Sequence, residues 1–115
     1  MPTQRVKFRV ISLDEQRNLR KDLAKFGNER DRILKAIGRG SVFGDYELYT
    51  EAAKEFERAL AIAETRKADK NTRFELRALA IMANYNGYNE DRVKQLCKAW
   101  DSRVSALPDA CSKSQ

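Results

Sequence analysis

Apolar and basic residues alternate at the start of the chain. Val6, Phe8 and Val10 interleave with Arg5, Lys7 and Arg9, the period of two that predicts a half-buried strand over residues 5–11. One face of that strand is apolar and the other carries three positive charges. At Ser12 the period changes. Ser12-Leu13-Asp14-Glu15 has the Ser-x-x-Glu spacing of a capping box, with acids in the first turn favoured by the helix dipole. Leu19, Leu23, Phe26, Ile33 and Ile37 then recur at helical spacing. They fit one helix over 13–37 with Arg30 on its apolar seam, or two helices broken at Gly27 with Asn28 capping the second. The coincidence of Gly27, Asn28 and a misplaced Arg30 favours the break.

Three glycines in Gly38-Arg39-Gly40-Ser41-Val42-Phe43-Gly44 predict a flexible connection; with no Gly-Lys-Ser/Thr following, it is not a phosphate loop. From Asp45 to about Arg66, Tyr46, Tyr49, Ala52, Ala53, Phe56, Ala59, Leu60 and Ala63 define one apolar helix face. Its alanines let a neighbouring helix approach closely. Lys67 to Lys70 is a polar break, with Asn71 as the next cap. Phe74 to Ala83 is the most apolar run and predicts the central core helix. Gly87 is placed to end it in a left-handed turn. Asn89 caps a last helix with Val93, Leu96, Cys97, Trp100 and Val104 on one face, and residues 106–115 read as a disordered tail.

The fold class is therefore mainly α: a short N-terminal strand followed by three to four helices in a small bundle, one domain over residues 1–105. A lone strand leaves its backbone donors and acceptors unpaired. Pairing it with the same strand of a second copy satisfies them, which predicts a homodimer whose strands form an intermolecular ribbon; the alternative is an extended arm lying on the helices.

Charge sharpens this picture. The net charge of +6 is concentrated in residues 1–40, where eleven Lys and Arg face five Asp and Glu. A localised basic end predicts a polyanionic partner. The strand, the helix start, the Gly-containing turn and the second helix over residues 5–37 resemble the ribbon-helix-helix DNA-binding proteins. In that family the ribbon enters the major groove and its outward residues read bases. The resemblance implies that Arg5, Lys7 and Arg9 hold the reading positions. Lys21, Arg32 and Lys35 are the expected phosphate clamps.

A second helical hairpin, through Met82, Ala83, Gly87, Tyr88, Val93 and Leu96, has spacings similar to a helix-turn-helix; as a recognition helix it would offer Lys94, Gln95 and Lys98. The plain structural hairpin remains the alternative.

Other chemistries find no residues. The chain has no histidine, so imidazole acid–base work and imidazole metal sites are absent. Tyr46 and Tyr49, at helical spacing, read as core residues. An enzyme is not expected, nor a metal or cofactor. Cys97, among apolar positions, and Cys111, in the polar tail, suggest no disulfide, and no apolar run is long enough to span a bilayer; a reducing cytoplasm is the simplest expectation. The functional expectation is a small basic dimeric regulator or DNA-processing accessory factor, binding DNA in preference to RNA. The alternative is a helical protein-interaction module, an adaptor, inhibitor or assembly subunit without nucleic-acid contact.

Overall fold

A computed structural model describes residues 5–113. Among them the regular structure is six helices and no strand: α1 (Leu13–Ala24), α2 (Arg32–Asp45), α3 (Tyr49–Thr65), α4 (Lys70–Asn86), α5 (Glu90–Lys98) and α6 (Asp109–Lys113). The centre is a three-helix stack in which α3 packs against α2 on one side and α4 on the other. α5 and α6 close the far side of α4, and α1 leans on α2 without burying any residue.

Local chemistry explains most helix starts. Ser12 and Glu15 exchange the reciprocal bonds of a capping box. Of the two readings of 13–37 the structure has the break, and Asp31 rather than Asn28 caps the second helix, its carboxylate accepting from the N–H of Ile33 at 2.9 Å and Leu34 at 3.3 Å. Asp69, not Asn71, caps α4, and Asn89 caps α5. The core is the alanine face of α3 (Ala52, Ala53, Ala59, Ala63, with Phe56 and Leu60) set against Leu76, Ala80, Ile81 and Ala83 of α4 and Val93 and Leu96 of α5. Small side chains on α3 are what allow two helices to approach it.

The glycines do not do what the sequence reading assigned to them. Residues 38–44 are not a connection; α2 runs straight through them. Gly38 and Gly40 are buried because aromatic rings lie on the helix backbone there: an added Cβ at Gly38 would sit 2.2 Å from Phe26 Cε1, and one at Gly40 2.7 Å from Phe56 Cε1. Each glycine costs the helix about 1 kcal/mol in propensity, which the ring packing offsets. Gly87 is not left-handed either; its φ is −88° and a Cβ would press on Tyr49 at 3.3 Å.

The left-handed positions belong instead to Glu47 (φ 57°), Lys67 (φ 55°) and Tyr88 (φ 60°). Each lies just past the end of α2, α3 or α4. There the following residue's N–H returns to a helix carbonyl at 2.9 Å: Leu48 to Phe43, Ala68 to Ala63, Asn89 to Asn84. These are Schellman terminations built without glycine.

Two further expectations are corrected. The tail read as disordered from residue 106 contains α6, with Ala110 and Cys111 buried against the bundle. Cys97 and Cys111 are joined in a disulfide, their Cα atoms 5.7 Å apart, so the C-terminal helix is tied covalently to α5. Disulfides persist mainly in oxidising compartments, so the cytoplasmic expectation loses the argument that carried it. Among the described residues no helix is long and apolar enough to cross a membrane.

The third correction concerns residues 5–11. They form no strand, and so no ribbon; the ribbon-helix-helix resemblance fails at its first element. The segment is an arm that lies on its own helices. Val6 N–H donates to the Asn86 carbonyl at 2.8 Å, and the Thr50 hydroxyl donates to the Lys7 carbonyl at 3.3 Å. Val6 and Lys7 keep the expected sides, half-buried and exposed, but the rest of the alternation is inverted: Phe8 and Val10 face solvent, 79% and 96% exposed, while Arg5 and Arg9 are half-buried anchors. The lone-strand argument for a homodimer has no strand to act on.

Candidate nucleic-acid interface

The residues expected to read bases are mostly engaged elsewhere. The Arg5 guanidinium lies between two tyrosine rings, 3.8 Å from the Tyr85 centroid and 4.0 Å from that of Tyr88. Its Nε donates to the Tyr85 carbonyl at 2.7 Å and one of its Nη atoms pairs with Glu90. Arg9 donates to the Tyr46 carbonyl at 2.6 Å and to Glu15 at 2.9 Å. The Glu15 carboxyl is held below its ordinary range first by the Ser12 backbone N–H and then by the Arg9 charge. Planar guanidinium groups on aromatic faces, with carboxylates in reach, find better partners on this surface than Phe8 or Val10 would. Only Lys7 of the three is free to meet a ligand; it is exposed, with its ammonium 5.9 Å from the Phe8 ring.

Of the expected clamps, Lys21 is exposed on α1, remote in sequence and helix from the others. Lys94 and Lys98 are exposed on α5, and Gln95 accepts from Arg92 at 2.9 Å. The start of that helix is occupied: Glu90 by Arg5, and Arg92 by Glu57 at 2.5 Å. The arm lies against the α4–α5 turn, which weakens α5 as a recognition helix and favours the structural hairpin.

Arg32 and Lys35, by contrast, come together with residues that the sequence reading passed over. On α2 the spacing Arg32, Lys35, Arg39 is i, i+3, i+7, which stacks three cations on one helix face. Across from them α3 presents Arg58 and Glu55. These five, with Ala36 at the floor, line an open cleft of about 460 Å³. Glu55 is the anomaly at its centre: a carboxylate only 6% exposed, with Arg39 Nε at 3.5 Å and Arg58 Nη1 at 3.7 Å. Its Oε2 accepts no hydrogen bond. Arg32 and Lys35 make no ion pair among the described residues. Four cations against one carboxylate leave three uncompensated positive charges in one concavity.

A buried carboxylate flanked by guanidinium groups keeps those groups apart and oriented, since each is attracted to it while repelling the other. What remains outward is a row of positive groups on adjacent helices, suited to a chain of phosphates. Arg39 and Arg58 were missed for definable reasons. Arg39 was assigned to a flexible connection, and Arg58 lies off the apolar face by which residues 45–66 were read. Treating 32–45 as a continuous helix would have exposed the stripe. Among the described residues no group of three or more His, Cys, Asp or Glu side chains is placed to hold a metal ion.

No protein family, no curated protein and no solved structure shows significant similarity to this chain.

Proposed function

We propose that this protein binds the phosphate backbone of nucleic acid through the α2–α3 cleft. The carrying observation is the convergence of Arg32, Lys35, Arg39 and Arg58 around the single carboxylate of Glu55. Backbone contact of this kind supplies affinity and register but little sequence information. With Arg5 and Arg9 anchoring the arm, the base-reading role first assigned to them is dropped from the proposal, and the function narrows to sequence-tolerant binding, with duplex DNA as the first ligand to test.

The test is fluorescence anisotropy with a short labelled duplex, comparing two triple variants. Arg32→Ala/Lys35→Ala/Arg58→Ala should weaken binding about tenfold or more at moderate salt. Lys21→Ala/Lys94→Ala/Lys98→Ala, which removes the same charge elsewhere, should change it far less. Equal losses from both variants would reduce the cleft to one part of a diffuse positive surface, and absence of binding by the parent protein would dismiss the proposal.

One observation favours a second reading, a protein-docking module. Phe8, Val10 and Leu13, at 79%, 96% and 72% exposure, form an apolar run on the arm and the start of α1. Exposed apolar runs commonly mark protein contacts. On that reading the cleft variant leaves partner binding intact and Phe8→Ser/Val10→Ser abolishes it.

A further inference from the structure

On the opposite side of α3 lies a smaller concavity of about 240 Å³, lined by Glu64, Lys70, Arg73, Phe74, Arg77, Ala99, Asp101 and Val104. We infer that it is a binding site for a small aromatic carboxylate, independent of the α2–α3 cleft. Lys70, Arg73 and Arg77 again stand at i, i+3, i+7, here along α4. Both acids in the wall already have cations. Glu64 pairs with Arg77 at 2.7 Å, and Asp101 pairs with Arg103 at 3.1 Å.

Arg73 differs from its neighbours. It makes no ion pair among the described residues, and its Nε is buried without any hydrogen-bond acceptor. A buried guanidinium N–H left unpaired is costly, and a native protein that keeps one has usually reserved it for something. A carboxylate against the Nε–Nη edge supplies the missing acceptor bidentately. Because Nε is shut off from the cavity in this conformation, ligand entry requires the Arg73 side chain to rotate towards it.

Charge and shape select the class. Arg77 and Arg103 hold the two acids, so Lys70 and Arg73 are left to meet an anion, and a carboxylate carried on a ring uses both these cations and the apolar part of the wall. The remaining wall is apolar, formed by Phe74, Ala99 and Val104. The volume is below the roughly 300–1,000 Å³ of sites for drug-sized ligands, which limits the ligand to about a single ring. Ala99, Asp101 and Val104 belong to the loop closed by the Cys97–Cys111 disulfide, so the fold holds that wall in place.

Trp100, the only tryptophan, meets Phe74 edge-on with ring centroids 4.9 Å apart, so its fluorescence reports on the site. The experiment titrates the disulfide-bonded protein with benzoate, benzyl alcohol and inorganic phosphate. Benzoate should give a saturable change in Trp100 emission, with benzyl alcohol and phosphate at least tenfold weaker. Arg73→Gln should weaken benzoate tenfold or more. Lys70→Gln, at an exposed position that leaves folding intact, should weaken it several-fold and carries the test if the Arg73 variant does not fold. Arg32→Ala/Lys35→Ala/Arg58→Ala should leave it unchanged. Equal responses to benzoate and benzyl alcohol, a phosphate response as strong as benzoate, no response at all, or indifference to Lys70→Gln and Arg73→Gln would each overturn the assignment.

Discussion

Replacing Arg5 with alanine separates an anchoring arm from a reading head. In the structure the side chain makes a charged hydrogen bond to the Tyr85 carbonyl at 2.7 Å, lies between two tyrosine rings, and pairs with Glu90. The hydrogen bond is worth about 1.5–3 kcal/mol and the two cation–π contacts about 1–2 kcal/mol together. The Glu90 side chain is 43% exposed, so its ion pair adds less than about 1 kcal/mol. Against this gross gain stands the ordering of the arm, at roughly 1 kcal/mol or more per fixed residue. Detachment of the arm caps the loss at its net docking energy. Arg5→Ala should therefore lower global stability by about 2 kcal/mol, a fall in Tm of roughly 6–10 °C. Arg5→Lys should recover less than half of this, since a lysine keeps the charge but not the planar fork. Urea unfolding followed by circular dichroism measures both, and nucleic-acid affinity measured on the same samples should be nearly unchanged. Unaltered stability with collapsed affinity would refute the reasoning and restore Arg5 as a ligand contact.

Three other consequences are as direct. Reducing the Cys97–Cys111 bond, or replacing both cysteines with serine, opens a loop whose ends are 14 positions apart and should cost about 3 kcal/mol, with exchange protection lost first in α6; native protein should show no reactive thiol in a colorimetric titration. Gly38→Ala should destabilise by about 1–3 kcal/mol in chemical denaturation because Phe26 must leave the helix backbone, and Phe26→Ala in the same chain should recover part of the loss. The Asp22 carboxyl is pulled below its ordinary 3.8 chiefly by the Tyr46 hydroxyl that donates to it at 2.8 Å. With the folded pKa lowered, its contribution is present above pH 3.8 and lost as pH falls through the folded value, so Tyr46→Phe should flatten the acid limb of the stability curve.

How far the sequence revealed the fold depends on the range of the interactions involved. Helix starts set by neighbours were legible, Ser12 with Glu15 above all, and so was the apolar run that became α4. The alanine face of α3 was read correctly as a close-packing surface. Glycine was misleading because its missing side chain served distant rings, Phe26 on Gly38 and Phe56 on Gly40, while Glu47, Lys67 and Tyr88 took the left-handed positions. The arm was misread for the same reason. Its alternation is local, but its partners Tyr85, Tyr88 and Glu90 lie some 80 positions along the chain. The disulfide joins a helix to a segment whose composition resembles a loose tail, and only tertiary packing brings its ends together. At the candidate site Arg32 and Lys35 were legible as cations, but their convergence with Arg39 and Arg58 required knowing that α2 continues through its glycines.

The salt dependence of duplex binding tests the central claim most directly. Three uncompensated cleft charges predict a contribution of about −2.7 to the slope of log K against log salt, which Arg32→Ala/Lys35→Ala/Arg58→Ala should remove. A slope that stays near the parent value in that variant would contradict the account.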